Sequence, residues 1–372
     1  MNKEIKGGFV RRVMNSFFPP ILIILALAVG AVSLWLTPKE EDPQIVVPMA
    51  DVLIQAPGLS ARQVEKQVTE PLEKLVSQID GVEYVYSSSM EGAAQVIVRY
   101  FVGEGRENAL VKLYNKLYSN QDKIPEAVTS WAVKPVEIDD VPIVVAALYS
   151  KNPEQISGYE LRRIATQATQ RLKSLKSTNI VEVVGGQSRT VEVTLNGAAM
   201  ASRKTTIEDL KNAFELSHSK KYSGLIHQSG DVYELESGQF FSGAEELGSL
   251  VVNVVNGRPV YLQDVATITD GPEEAINDTW FQYGPADGEV SQTYPAVFIS
   301  VAKQKGSNAV SVAKSVLSEL KALERDQLPD DIEISIIRNY GQTADDKVSN
   351  LVSSLGVSIL TVVVFVGLFL NW

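Results

Sequence analysis

The sequence predicts an α+β membrane protein. Two transmembrane helices flank one large region of two split βαβ units, and an α+β insertion interrupts the second unit. Three observations carry this. First, residues 17–37 and 348–372 are long and apolar, with no charged residue between Arg12 and Lys39 or after Lys347. About 20 apolar residues in a helix cross about 30 Å of hydrocarbon, and both stretches meet that length. Second, residues 45–137 alternate strand-like and helix-like periodicities in the order strand, helix, strand, strand, helix, strand, the split βαβ or ferredoxin-like pattern. Third, the same pattern opens again at Pro142 but closes only after residue 295.

The flanks of the first span set its orientation. Lys3, Lys6, Arg11 and Arg12 precede it with one acid, Glu4; Lys39, Glu40, Glu41 and Asp42 follow it. Basic residues stay cytoplasmic, so the large region is expected outside and Trp372 back at the inner face. A cleaved signal peptide is the rival reading. Its apolar run would be shorter, and Ala26-Leu27-Ala28 lies inside this run rather than after it. Pro19 and Pro20 fall in the first helical turn, where a missing N–H costs little. Residues 1–16 read as an amphipathic segment on the inner membrane surface or as a frayed tail.

Composition narrows the function classes. The 372-residue chain carries a net charge of −11, which argues against nucleic acid as a partner, since phosphate binding needs Lys and Arg. It has no cysteine, so a disulfide framework, a Cys-ligated metal and a thiol nucleophile are excluded. His218 and His227 lie in a polar stretch and read as surface residues.

After the first span, Pro38 and Pro43 stop regular structure, and Glu40, Glu41 and Asp42 read as a solvated linker or a cation site. A strand is expected over 45–55. A helix capped by Ser60 with Gln63 follows, its Val64, Val68, Leu72, Leu75 and Ile79 on one face, and Pro71 should kink it. Strands around 83–88 and 95–102 flank a turn at Gly92. The helix over 107–120 should turn Leu110, Leu113, Tyr114 and Leu117 inward, and a strand over 130–137 completes the unit. The second unit is expected as strand 143–149, helix 158–175 and strand 180–184, then strand 295–304, helix 308–323 and strand 332–337. Between the halves, strand 190–195, helix 206–216 and a hairpin at Asn256-Gly257 form the insertion. The stretch 217–238 reads as a projecting hairpin or a disordered loop.

No phosphate loop and no H-E-x-x-H occurs, and neither span contains an ionisable residue. Proton-driven transport needs such groups at membrane depth. Asp139-Asp140 and Asp345-Asp346 are sequence neighbours that do not share a face; they read as linker and helix-start charges.

The first span followed by PKEEDPQI, the turn APGLSARQVEKQVTEPLE, IDGVEYVYSSSMEG, the hairpin VNGRPVYLQDVATI, LPDDIEISIIRNY and the second span closing in FLNW resemble the N-terminal part of bacterial resistance-nodulation-division efflux permeases. The resemblance covers essentially the whole chain. It implies a cytoplasmic segment (1–16), transmembrane helix 1 (17–37), a first periplasmic porter subdomain (38–140), a second in two halves (141–186 and 276–340), a docking-type insertion (187–275) and transmembrane helix 2 (348–372). It implies a secondary active transporter and not an enzyme, no cofactor, and a bacterial inner-membrane location. The implied partners are a homotrimer, a periplasmic adaptor, an outer-membrane channel, the lipid bilayer and small amphiphilic substrates. Stretch 217–238 matches the arm that docks into a neighbouring subunit.

Two departures qualify the resemblance. The family's proton-relay spans are missing, so a partial permease that does not pump alone is expected. Where multidrug members carry pocket phenylalanines, this chain has Val141 and Gly185; Ile143, Val145 and Ile336 face the same cleft or pack in the core. The alternative class is a two-span periplasmic scaffold such as a polysaccharide chain-length regulator, which predicts long helices and a Pro-rich second span. Here that span has no Pro.

Overall fold

The computed structural model describes residues 16–369 except 42–44, 46, 153, 218–220, 229–230, 238–240, 276 and 286–291, and gives backbone only for most of 221–237. Residues 1–15 of the amphipathic segment expected over 1–16, together with Asp42, Pro43, His218 and Trp372, lie outside the described residues.

Helix α1 (Phe18–Leu36) begins with the two prolines in its first turn, and none of its residues is buried. The first unit follows. Strand β1 (Met49–Gln55) starts later than the apolar pattern suggested, because Pro48 has no N–H for the ladder; its carbonyl still accepts from Tyr100 N at 2.9 Å. Helix α2 (residues 61–76) opens with the Ser60–Gln63 capping box. It then widens into a π turn over Glu65–Thr69 and resumes as an α-helix at Glu70–Val76. Pro71 explains the wide turn: its ring clashes with the carbonyl four residues back in a regular helix, and the extra residue relieves the clash.

Strands β2 (Val82–Met90) and β3 (Ala93–Tyr100), helix α3 (Arg106–Tyr118) and β4 (Ser130–Val136) complete an antiparallel sheet of order β2-β3-β1-β4. Alternate residues Val52, Ile54, Val96 and Val98 meet Val64, Val68, Leu113 and Leu117 in one core. Tyr114 was expected inward but is exposed; its hydroxyl donates to the Val133 carbonyl at 3.3 Å. A phenol has a polar end to satisfy, and Ala109 with Leu113 and Leu117 already fills the buried stripe. Tyr100 is fully buried, its hydroxyl bonded to the Ala109 carbonyl at 3.0 Å, and burial pushes its pKa up to about 12.

The second unit repeats the plan. Its strands are β5 (Val144–Ser150), β6 (Thr178–Val184), β14 (Thr293–Lys303) and β15 (Ile332–Asn339), adjacent in the order β6-β14-β5-β15 and all antiparallel. Its helices are α4 (Gly158–Lys173), capped by Ser157 and Glu160, and α8 (Ala309–Asp326), capped by Asn308. They pack on one sheet face through Leu161, Leu172, Val316 and Leu320, and Arg171 pairs with Glu319 across them at 2.6 Å. Strand β13 (Trp280–Gln282) extends the β14 edge.

The insertion lies between β6 and β13. Strand β7 (Arg189–Leu195) pairs with β12 (Ala266–Pro272), and β10 (Val251–Val255) with β11 (Arg258–Tyr261). Asn256 and Gly257 both take positive φ, 51° and 76°, as a tight hairpin of this kind requires. Helices α5 (Gly197–Ser202), which the sequence reading omitted, α6 (Ile207–Ser217) and α7 (Ala244–Gly248) share a core around Leu210, Leu262 and Val265. Strands β8 (Lys221–Gln228) and β9 (Asp231–Ser237) form a separate two-stranded hairpin, so of the two readings of 217–238 the hairpin is observed.

Helix α9 (Tyr340–Phe369) begins at once after β15, eight residues before the uncharged stretch. Its first turns belong to the second unit: Gly341 and Ala344 are buried, and Tyr340 packs on the unit's core. Helices α1 and α9 are long and apolar enough to cross a membrane, with mean hydropathy of 2.3 and 2.4 over their apolar windows and nothing in those windows buried by protein. Apolar surface of this extent needs a cover, and lipid fits it.

Candidate functional site

Two places in the second unit gather polar groups out of water. The first lies where the chain leaves α1. β14 ends with a bulge between Val301 and Lys303, which re-aims the last side chain. Lys303 is 6% exposed. Its ammonium donates to Glu40 at 2.9 Å and lies 3.5 Å from Asp139, itself buried. The linker is held further by Lys39 on Asp345 at 2.9 Å, Lys347 on Glu41 at 3.1 Å, and the Lys39 carbonyl, which accepts from Ala309 N at 3.0 Å. Lys39 first, then Lys314, holds the Asp345 carboxyl below its usual range. Glu40 and Glu41 are therefore ion-pair partners rather than solvated linker charges, and Asp139 is a buried counter-ion rather than a linker charge. Burial of Lys303 is the physical reason: an ammonium out of water needs carboxylates.

The second place is the sheet face that carries no helix. Side chains alternate along a strand, so the residues of β5 and β14 between the core positions share this face. Tyr149 stacks on Phe281 at a ring separation of 4.7 Å and meets Tyr294 at 5.2 Å; Phe281 meets Tyr283 edge-on at 4.9 Å. Phe298 packs beside them. The Tyr149 hydroxyl donates to Glu333 at 2.6 Å and shares a 2.7 Å bond with the Tyr283 hydroxyl, and Lys151 closes on the other Glu333 oxygen. Burial, then Glu333 and Tyr283, push the Tyr149 pKa far up. The hydrogen bond from Lys151 first, then that from Tyr149, hold Glu333 below the usual carboxylate range. Tyr149 and Phe281 are buried within this cluster, so what it leaves accessible is part of the half-buried Tyr283, Tyr294 and Phe298 rings and the Lys151–Glu333 pair.

The five pocket candidates from the sequence divide. Val141 and Ile143 line one small cavity of about 60 Å³ beside Lys303 and Tyr340; Ile143 is also core. Val145 pairs with Ser300 on the aromatic face. Gly185 occupies a turn at φ +89°, packed on Thr279. Ile336 stands opposite Ala146, on the helix-bearing side, and is 40% exposed. The aromatic cluster was missed, although a signal was present: Phe281 with Tyr283, and Tyr294 with Phe298, are each spaced for one face of a strand. Among the described residues no group of three or more His, Cys, Asp or Glu could hold a metal ion.

Because the ionised Glu333 is favoured by folding, its contribution is present above the ordinary glutamate pKa of about 4.3 and lost as pH falls through its lower folded value. Melting curves from neutral to acid pH should show Glu333→Gln less stable than the parent near neutrality, with the two converging in acid. Parallel curves would exclude this linkage.

Comparison with known proteins gives the family. The family model described as the AcrB/AcrD/AcrF family matches residues 9–372. Multidrug resistance protein MdtC of Yersinia enterocolitica is 25% identical over 357 residues, 95% of this chain and 34% of that protein. MdtC of Edwardsiella ictaluri is 26% identical over 353 residues, 95% of this chain and 33% of that protein. MdtC of Enterobacter sp. strain 638 is 24% identical over 357 residues, again 95% and 34%. This chain spans about a third of the length of the curated relatives it matches. With a family match over nearly its full length, the chain belongs to the AcrB/AcrD/AcrF family, as an N-terminal portion of a resistance-nodulation-division permease.

Proposed function

We propose that this chain is part of a proton-driven permease of the bacterial inner membrane that exports amphiphilic small molecules. The observation that carries the reading is the aromatic face of the second sheet, in a family whose relatives here are named multidrug resistance proteins. In this reading the substrate lies against the half-buried Tyr283, Tyr294 and Phe298, which surround the buried Tyr149–Phe281 stack, with Val145 as the aliphatic part of the same wall and the Lys151–Glu333 pair as its polar end. Val141, Ile143, Gly185 and Ile336 lie off this face and take no part in the reading.

The two four-stranded units are ferredoxin-like porter subdomains. Strand orders β2-β3-β1-β4 and β6-β14-β5-β15 support this, since each follows the order expected of a split βαβ unit. The segments 38–140, 141–186 with 276–340, and 187–275 are then two porter subdomains and a docking insertion, between membrane helices α1 and α9. The basic residues before α1 support a periplasmic placement for the large region. The permease acts as a homotrimer with a periplasmic adaptor and an outer-membrane channel, and the β8–β9 hairpin is the arm that reaches a neighbouring subunit. Proton flow is supplied by spans with intramembrane acids, which α1 and α9 do not contain.

Sequencing the DNA downstream of the Trp372 codon tests the reading. A continuation with further spans bearing intramembrane acids supports it; a stop followed by an unrelated gene overturns the pumping mechanism. Orientation is tested separately. The chain has no cysteine, so a single Ser307→Cys gives an uncluttered probe. A membrane-impermeant maleimide should label it in intact cells with a permeabilised outer membrane. Labelling only after lysis would reverse the topology.

A further inference from the structure

The first unit contains the larger cavity, about 400 Å³, between α2, α3 and the loop that follows α3, over strands β1 and β4. That volume is in the range that takes one small ligand, about 300–1,000 Å³. Its floor is apolar: Ile54, Val68, Leu72 and Trp131. The π turn and Pro71 form part of its wall, and such turns are frequent at functional sites. Its rim is cationic. Lys74, Lys116 and Lys123 line it, and none of the lining residues is acidic. Lys116 donates to the neutral Gln78 amide oxygen at 3.1 Å, and Lys123 to that of Asn120 at 2.7 Å. Lys74 stands 4.0 Å from Glu70, a distant and exposed pairing. In a chain of net charge −11, three ammonium groups around an apolar floor are a local reversal of sign.

We propose that this cavity binds a single-chain amphiphile with an anionic head, such as a long-chain carboxylate. The chain lies on the Leu72–Trp131 floor and the carboxylate meets the three lysines. Charge complementarity selects the anion, since an ammonium meets a carboxylate with a stronger hydrogen bond than a neutral head gives. The apolar floor selects the chain. The site is separate from the aromatic face of the second unit and does not rest on the transport reading.

The test is photolabelling of the full chain in phosphatidylcholine nanodiscs with a diazirine-bearing long-chain carboxylate, mapped by mass spectrometry. Saturable labelling is expected in peptides covering 67–78 and 116–131. It should fall roughly tenfold with the matching primary amide, and with Lys74→Gln/Lys116→Gln/Lys123→Gln, if about 1.4 kcal/mol of charge recognition is lost. Labelling of α1 and α9 should not change, which controls for partition into the disc. A second variant, Gln67→Trp, narrows the cavity without touching the lysines and should also reduce labelling. Labelling confined to α1 and α9, or equal labelling by acid and amide, overturns the proposal. Loss of labelling on adding phosphatidylglycerol would assign the cavity to a diacyl lipid head and overturn it as well.

Discussion

Lys303→Met should strongly destabilise the second unit. Chemical denaturation should show a loss of about 3–5 kcal/mol, the cost of removing one partner from a buried ion pair. Lys303 is 6% exposed, and its loss leaves Asp139 buried and Glu40 largely so, with their shared ammonium gone. Met fills nearly the same volume, so the loss reports charge rather than a cavity. The companion variant separates the two further. Lys303→Met with Glu40→Gln and Asp139→Asn removes all three charges and should recover most of the stability, because the desolvation of the carboxylates disappears with the cation. If the single variant costs less than about 1 kcal/mol, as exposed pairs do, the cluster is solvated and the linker is not anchored through it. The outcome bears on function as well as stability. Glu40 belongs to the segment leaving α1, so the cluster fastens that apolar helix to the unit carrying the aromatic cluster.

This cluster also marks the limit of what the sequence could disclose. Local patterns placed the elements: alternate Val52, Ile54, Val96 and Val98 read as sheet, and Leu161 with Leu172 read as a helix face, because periodicity is a local property. The interrupted second unit was legible for the same reason, although its halves are separated by a long insertion. Contacts were not. Lys303 meets Glu40 across 263 positions and Asp139 across 164, and no local pattern marks a lysine at a strand end as buried. Glu40 and Glu41 looked like a solvated acidic run because their partners are remote. Tyr114 sat at helical spacing with Leu110 and Leu117, and only the three-dimensional competition for the stripe shows that its hydroxyl turns outward. Val145 was legible as a strand residue. Tyr149 shares that face by the alternation of the same strand, but Phe298 reaches it only through a pairing between strands far apart in the chain.

Gly341→Val should be the second large effect. Gly341 is in the first turn of α9, where β15 passes into the long apolar helix and α8 passes close by. A Cβ there would stand 2.8 Å from the Ala309 carbonyl oxygen and collide with the Ala313 methyl. Neither is the far end of a flexible side chain, so the helices must separate. Overpacking of this kind costs about 1–3 kcal/mol. Gly341→Ala decides between two opposed terms. Helix propensity alone would make it stabilising by about 1 kcal/mol, whereas the clash predicts a net loss. Adding Ala313→Gly removes the facing methyl but not the Ala309 carbonyl, so it should restore part of the loss. A stabilising Gly341→Ala, or no recovery with Ala313→Gly, would show that α8 and α9 can part freely. The close approach matters because Ala344 and Asp345 follow on the same helix. Asp345 accepts from Lys39 at 2.9 Å and Lys314 at 3.4 Å. If Gly341 sets the separation of α8 and α9, it also sets whether one carboxylate can reach the α1 linker and α8 together. A Val at 341 should then weaken the attachment of both apolar helices, α1 and α9, to the second unit. A double-mutant cycle reads that loss directly: Lys39→Ala should destabilise the parent and cost little further in the Gly341→Val background, whereas equal costs in the two would show that the Lys39–Asp345 contact survives.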